Sequence, residues 1–386
     1  MERLMSTTYT YVACRDEGSI EAYVLDDAEG RLNRFAVVEG LEDVAMLAMD
    51  HRRGILYAGQ GGASHEHPLL WVFTVVAGGR LVLRGTAHLP CSAAYLEFDP
   101  TSGDEHPAVA GSVGRDGLLG ASYFGDAVFR VMLDSQGLPQ EGQPAWIDDA
   151  AGRGMRCVVP SPDGRHVYAT SLVDDRVVIY RRGATGEPPL VRSGTVNAPA
   201  GSGPRHVMVH PEGTHVALLT ELSGEILTFH RDAETGELAE FARVRVDEPE
   251  DELAPGYVRG EGCGPLHIDG DEHSDADEQD SGLPERPMWA AGLMHARGAN
   301  YILATERTTS ALTVFDTGSQ PRRRARTRTE ERPRAAAVAP GRELVLVAGE
   351  LSGHISVYRI TEHGILNPTQ RVATGARPAA FEFYRK

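Results

Sequence analysis

Acid–base and anion-binding side chains occur close together in the chain, in the segment Gly203-Pro-Arg-His and, further along, at Glu221. Arg205, His206 and Glu221 supply a guanidinium, an imidazole and a carboxylate within one short stretch. A carboxylate or an imidazole can take a proton from water, and a guanidinium can hold a carboxylate, a phosphate or a developing oxyanion. This combination predicts proton transfer on an anionic substrate, with Glu221 as the candidate base and His206 as its alternative or its orienting partner.

The chain as a whole is acidic, with a formal net charge of −17 over 386 residues. Such a charge argues against non-specific binding to nucleic acid or to an anionic membrane. No stretch approaches a membrane span, and the N-terminus lacks the apolar core of a signal peptide, so we expect a cytoplasmic protein. The four cysteines are far apart and have no metal-binding spacing. We therefore expect no disulfide, no metal and no other cofactor.

Strand-like segments recur along the chain as copies of one unit. The clearest copy begins at Gly203 and reads strand, Pro-x-Gly turn, strand, polar loop, strand, Thr-Gly-x-Leu turn, strand. Each segment either alternates apolar and polar residues or is a short apolar run, and turn residues bound it. Both patterns are typical of β-strands. Further copies begin near Val44, Cys91, Met155, Met288 and Pro333. A repeat of this kind indicates a propeller or a related array.

The earliest copy, at Tyr9, lacks its opening strand, whereas the chain ends in a segment, 378–383, that has the form of one. Six full repeats and one split repeat predict an all-β, seven-bladed β-propeller whose first blade is closed by the C-terminal strand. We expect residues 1–386 to form one domain. Two segments break the period and are predicted to be surface insertions, namely 247–287, which contains the acidic run 269–280, and the basic run 322–328.

In a propeller, the start of each blade's first strand and the end of its second strand meet near the axis on one face, which we call the mouth. Arginines recur at these positions, and arginine is suited to bidentate capture of carboxylate or phosphate, so we predict a small anionic ligand there. The candidate catalytic residues are Glu221, His206, Arg205 and Arg307. The candidate substrate-binding residues are Arg156, Arg334, Arg377, Tyr123, Gln60 and Glu306. Alternatively, the arginines and glutamates simply pair and fill the channel.

These residues resemble the metal-independent lactonase family of seven-bladed propellers, whose members include 6-phosphogluconolactonases and carboxymuconate lactonizing enzymes. The similarity is strongest in blade five, at Gly203-Pro-Arg-His and at Thr220-Glu-Leu, and Arg307 stands in the place of the family's Asn-Arg-Gly. The resemblance implies a site built from Arg205, Glu221, Arg307 and a blade-four histidine. Here the histidine position holds Arg156.

The prediction that follows is a hydrolase of an anionic sugar lactone, similar to 6-phosphogluconolactonase. Glu221 or His206 would activate water, and the arginines would bind the anion and the oxyanion. Two alternatives remain open, which are a lactone-forming cycloisomerase and a propeller that binds a ligand or protein without catalysis. We expect the partner to be a small anionic lactone or carboxylate, and the protein to be a monomer or a weak homodimer.

Overall fold

The computed structural model describes residues 7–63, 65–100, 116–140, 145–258 and 284–386. In these residues the strands, numbered along the chain, form seven antiparallel sheets of four strands each. Each sheet is one blade. Helix is confined in these ranges to two single 3-10 turns, at Ala77–Gly79 and Pro249–Asp251.

The strands take four positions in the blades, counted outward from the axis. From blade one to blade seven, the inner strands are β28 (Pro378–Arg385), β4 (Val44–Asp50), β8 (Tyr95–Asp99), β12 (Met155–Pro160), β16 (Pro204–Val209), β20 (Ala290–Ala296) and β24 (Pro333–Val338). The second strands are β1 (Thr8–Cys14), β5 (Ile55–Gln60), β9 (Gly117–Ser122), β13 (His166–Ser171), β17 (His215–Thr220), β21 (Tyr301–Glu306) and β25 (Leu344–Gly349). The third strands are β2 (Ser19–Asp26), β6 (Leu69–Val75), β10 (Ala127–Met132), β14 (Arg176–Arg182), β18 (Glu225–Arg231), β22 (Ala311–Asp316) and β26 (His354–Ile360). The outer strands are β3 (Arg31–Glu39), β7 (Leu81–His88), β11 (Trp146–Asp148), β15 (Leu190–Asn197), β19 (Leu238–Arg245), β23 (Arg323–Arg328) and β27 (Leu366–Ala373).

The two ends of the chain meet in blade one. β28 pairs antiparallel with β1, from Thr8 opposite Arg385 to Cys14 opposite Pro378. Each inner strand also contacts the inner strand of the next blade, so that the seven form a closed ring. The predicted seven-bladed propeller, with its first blade closed by the C-terminal strand, is therefore confirmed.

The hydrophobic core lies between the blades as a series of layers. The cluster around Val12 and Leu346, for example, joins blades one and seven, and the cluster around Ala58 and Ile20 joins blades one and two. Every blade is apolar on both faces, because each face packs on a neighbour, and burial of this apolar surface stabilises the ring.

In the described residues, the hydroxyls of tyrosines on second strands connect four pairs of neighbouring blades. In each case the tyrosine lies on a second strand and donates to a carbonyl oxygen in the turn before the outer strand of the next blade. The pairs are Tyr11 with Gly79, Tyr57 with Gly137, Tyr168 with Gly236 and Tyr301 with Glu362. Polar groups that would be costly to bury alone thus satisfy one another at the blade boundaries.

The inner strands carry β-bulges where they reach the mouth. The pairing register shifts around Arg156 in β12, Arg205 in β16 and Arg334 in β24, so each of these arginines is the extra residue of its bulge. Ala45 in β4 and Ala379 in β28 occupy the same place in blades two and one. Because a bulge turns its extra side chain out of the ladder, the bulges direct three arginines at the mouth.

The prediction that residues 322–328 form a surface insertion is wrong, because this run contains β23, the outer strand of blade six. Three of the arginines in β23 form ion pairs with acidic side chains, and one of these pairs is Arg324 with Asp316. Arg323 pairs with Glu248, and Arg326 Nη2 lies 2.6 Å from Asp251 Oδ2.

The acidic partners of β23 belong to the start of the long segment between blades five and six. Within this segment, Ala254 N donates to Arg286 O, and Met288 N donates to Ala254 O. The two described ends of the segment are therefore joined to each other, and Gly256 N ties the first of them to Leu222 O after β17. The acidic run 269–280 lies outside the described residues.

Candidate active site

Glu221 lies at the mouth, directly after β17, with its side chain only 6% exposed. Its backbone is tied to two inner strands, since its N–H donates to Gly203 O and its carbonyl accepts from Ala290 N. Asp175 in turn accepts hydrogen bonds from the N–H groups of Gly201 and Gly203. The loop entering β16 is thereby fixed relative to the carboxylate.

Two buried arginines hold the two oxygens of the Glu221 carboxylate. Arg205 Nη1 donates to Oε2 at 2.6 Å, and Arg307 Nη2 donates to Oε1 at 2.5 Å. Arg205 is itself anchored by a hydrogen bond from Nε to Ala291 O. Arg307 lies over the Trp289 ring, 5.4 Å from its centroid. Charge-assisted bonds of this kind place the carboxylate firmly between blades five and six.

Arg156 reaches the same carboxylate from blade four. Its Nε lies 3.9 Å from Glu221 Oε2, and its guanidinium lies over the Tyr123 ring at 5.4 Å from the centroid. The structure thus places a third guanidinium where the family resemblance implies a histidine. One carboxylate faces three arginines, and this part of an acidic protein is locally positive.

The concentration of positive charge affects the arginines themselves. Burial and the neighbouring Arg156 lower the pKa of Arg205 well below its usual range, and Glu221 offsets this only in part. Positive charges held together out of water are stabilised by an anion that enters between them. The electrostatics therefore favour an anionic ligand at this end of the channel.

His206 contacts blade three instead of the Glu221 carboxylate. Its ring packs edge-on against Tyr95 of blade three, 6.1 Å between centroids, and no hydrogen bond between His206 and Glu221 occurs in the described structure. Burial, followed by Arg205 and Arg156, lowers the pKa of His206 well below 6.5. A neutral imidazole with so low a pKa is a weak base near neutral pH.

Gln60 and Glu306 lie near the mouth but bond within their own surroundings. Gln60 donates from Nε2 to Glu42 O and accepts from Leu69 N. The Glu306 carboxylate accepts from the backbone N–H groups of Trp289, Thr308 and Thr309 and from the Thr309 hydroxyl. Both side chains therefore brace loops, and the structure does not bring them to the Glu221 group.

Arg334 and Arg377 surround a second carboxylate, Glu350, on the blade-seven side of the mouth. Arg377 Nε lies 3.2 Å from Glu350 Oε1, and Arg334 Nη1 lies 3.5 Å from the same atom. Burial alone would raise the pKa of Glu350, but Arg334, Arg307 and Arg377 outweigh it and lower the pKa. Arg307 thus acts electrostatically on both carboxylates.

Sequence reasoning missed the apolar wall beside the arginines. Leu172, Leu222 and Trp289 form a small cluster there, against which Tyr257 and Val258 of the inter-blade segment pack. Tyr257 meets Trp289 edge-on at 5.0 Å between centroids. The chain has only three tryptophans. A tryptophan next to a predicted inner strand was the sequence signal that could have indicated this apolar wall.

No group of three or more histidine, cysteine or acidic side chains suited to a metal ion occurs in the part of the chain that the structure describes. Cys14, Cys91 and Cys157 are free thiols, and Cys263 lies outside the described residues. Neither 3-10 turn nor any other described helix is long and apolar enough to cross a membrane.

Fold and mouth together define a seven-bladed propeller with buried arginines at one end of its channel. The chain matches the family described as "Lactonase, 7-bladed beta-propeller" over residues 3–383, and it therefore belongs to this lactonase family.

Individual relatives are distant in sequence but match over almost their full length. The chain is 26% identical to the 6-phosphogluconolactonase of Pectobacterium atrosepticum over 381 residues, which cover 95% of this chain and 96% of the relative. Among solved structures it is similar to the periplasmic gluconolactonase of Pseudomonas aeruginosa, with a TM-score of 0.76, 21% identity and coverage of 98% and 99%. A protein from Bacteroides uniformis matches with a TM-score of 0.76, 19% identity and the same coverage. These structural matches show a shared fold.

Proposed function

We propose that the protein hydrolyses an anionic sugar lactone, in the manner of a 6-phosphogluconolactonase. The observation that carries the proposal is the Glu221 carboxylate at the mouth, with Arg205 and Arg307 on its two oxygens and Arg156 at 3.9 Å. Family membership and a 26% identical relative named 6-phosphogluconolactonase support the same chemistry.

The reaction needs a base for water and positive charge for the oxyanion. Each carboxylate oxygen of Glu221 keeps a lone pair beyond its arginine bond, and so can accept a proton from water. As the hydroxide adds to the lactone carbonyl, negative charge develops on oxygen, and a neighbouring guanidinium stabilises it. The ring C–O bond then breaks, and Glu221 returns the proton to the departing alkoxide. Glu221 is the better candidate base than His206, because the pKa of His206 is lowered.

Glu221→Gln tests the assignment with little change in shape. Loss of the base should lower kcat/KM by about 10²–10⁴-fold, measured by pH-stat titration above the spontaneous hydrolysis of 6-phosphogluconolactone and gluconolactone. Glu225→Gln changes a partly buried glutamate at the start of β18, just after the same turn, and should leave the rate unchanged.

Arg307→Ala should lower turnover by roughly 10²–10³-fold through loss of charge stabilisation. Hydrolysis that survives both Glu221→Gln and Arg307→Ala at the wild-type rate would contradict the proposal. Anion binding with no lactone turned over would instead favour a ligand-binding propeller. A change in conjugated-diene absorbance with a muconate substrate would identify a cycloisomerase.

A further inference from the structure

Blade seven repeats the key residues of blade five in a second charged cluster. Glu350-Leu-Ser-Gly follows β25 just as Glu221-Leu-Ser-Gly follows β17. Arg334 occupies the bulge of β24, as Arg205 occupies the bulge of β16. The mouth therefore contains two carboxylates with arginines around each, and the reaction proposed above uses only one of them.

Glu350 is the buried centre of this second cluster. Its side chain is 2% exposed, and its Oε1 is the atom that Arg377 and Arg334 approach. Arg377 also reaches Asp16, at 3.3 Å, but the Asp16 side chain is about half exposed and its charge is solvated. Among the described side chains of the cluster, two buried guanidinium groups, of Arg334 and Arg377, lie beside one buried carboxylate, that of Glu350.

Arg332 adds a third guanidinium to this cluster. The structure gives its guanidinium no hydrogen bond or ion pair to any described residue, although the side chain is only partly exposed. Burial, Arg307 and Arg377 lower its pKa, while Glu350 acts in the opposite direction. A cation held among other cations is stabilised by an incoming anion.

The backbone at this position is strained. Arg332 and Arg377 each precede an inner strand with φ of 51° and 55°, in the left-handed region. Blades four and five have Gly154 and Gly203 at the same place, also with positive φ. A non-glycine residue there costs roughly 1–3 kcal/mol, and such strain is concentrated at binding sites. Asp43, directly before β4, has the same conformation with φ of 55°, so the left-handed position is a feature of the fold. At Arg332 and Arg377 an arginine occupies this position at that cost.

We propose that Arg332, Arg334 and Arg377, grouped around Glu350, form a second anion subsite that binds an oxyanion group of the substrate remote from its lactone carbonyl. The carbonyl would lie at Glu221, with Arg307 between the two subsites. Net positive charge favours a phosphate ester, and a carboxylate is the other group of the same chemistry. The inference rests on the proposed function for the orientation of the substrate, but not for anion binding itself.

Arg332→Gly separates binding from stability. Glycine removes the guanidinium and relieves the left-handed backbone, so the melting temperature should stay the same or rise. The affinity for inorganic phosphate, measured by calorimetry, should fall about tenfold or more. Arg342→Gly is the matched control, since Arg342 is an exposed arginine in a turn of the same blade, with φ of 62°. Phosphate affinity unchanged by Arg332→Gly would overturn the inference.

Competing ligands identify the bound group. Wild-type protein should bind 6-phosphogluconate more tightly than gluconate, and Arg332→Gly should remove this preference. A preference for the dicarboxylate glucarate over 6-phosphogluconate, also lost in Arg332→Gly, would assign a carboxylate to the same subsite. Arg332-dependent anion binding without any lactone turnover would refute the proposed hydrolase and leave the subsite standing. Lactone turnover together with anion binding that does not depend on Arg332 would refute the subsite and leave the proposed hydrolase standing.

Discussion

Two carboxyl groups in the channel below the mouth have unusual surroundings. Glu97 lies on β8 of blade three and Glu382 on β28 of blade one. Their blades are not adjacent, so their electrostatic interaction runs across the channel. Burial raises the pKa of Glu97 to about 7, and burial together with Glu97 raises the pKa of Glu382 to about 8. Glu382 is therefore largely protonated at neutral pH.

The raised pKa makes stability depend on pH in a defined direction. As the pH rises from about 4.5, the unfolded chain releases the Glu382 proton before the folded protein does. The free energy of unfolding should therefore decrease until the pH passes the folded pKa, near 8. Glu382→Gln should stabilise the protein more at pH 9 than at pH 5, measured by urea unfolding. Glu234→Gln, in an exposed turn, is the control, and equal pH profiles for both variants would contradict the assignment.

At the scale of the element, the blade-to-blade tyrosines offer a clean comparison within one strand. Tyr11 and Tyr9 both lie on β1, but only the buried Tyr11 hydroxyl bonds a described carbonyl, that of Gly79 at 2.8 Å. Tyr11→Phe leaves that carbonyl unsatisfied and should cost about 1–3 kcal/mol of unfolding free energy. Tyr9→Phe should change stability by less than about 0.5 kcal/mol. Similar losses in both would show that the hydroxyl bond contributes nothing.

The sequence predicted blade order well because inner and second strands carry short apolar runs between Pro-x-Gly and polar turns. It failed at β23, where the outer strand faces solvent and its arginines conceal any apolar periodicity. Arg323 and Arg326 stabilise that strand through Glu248 and Asp251, residues distant in sequence. The pairing could not be predicted from either segment alone.

The sequence predicted that arginines lie at the mouth, but it did not predict where their side chains point or which carboxylate each one contacts. Register placed Arg156, Arg205 and Arg334 near the axis, but the bulges that aim them appear only when partner strands are aligned. The grouping of Arg334 and Arg377 on Glu350 rather than Glu221 depends on which blades are neighbours in the ring. Arg332 was missed, since a left-handed arginine before a proline carries no local sequence signal.

At the scale of the whole molecule, β28 contributes to both fold and site. It is the inner strand of blade one, and it brings Arg377 to Glu350. A chain ending at residue 374 should lose stability, including about 1.5–3 kcal/mol for the buried Phe383 side chain alone, and should lose anion affinity as well.

Thermal unfolding and phosphate calorimetry measure the two losses separately. Arg377→Gly keeps the closing strand and relieves its positive φ, so it should weaken anion binding while stability is retained. A truncated chain that remains folded and binds anions like the full-length protein would contradict both roles of β28.

The pairing of the first and last strands also has a consequence during synthesis. Among the strands that the structure describes, β1 is translated first and its partner β28 is translated last. Until then one edge of β1 exposes unpaired N–H and C=O groups along seven residues, and such an edge can pair with another chain. The nascent protein therefore carries an aggregation-prone edge while the six intervening blades are synthesised, and synthesis of β28 is the step that removes it.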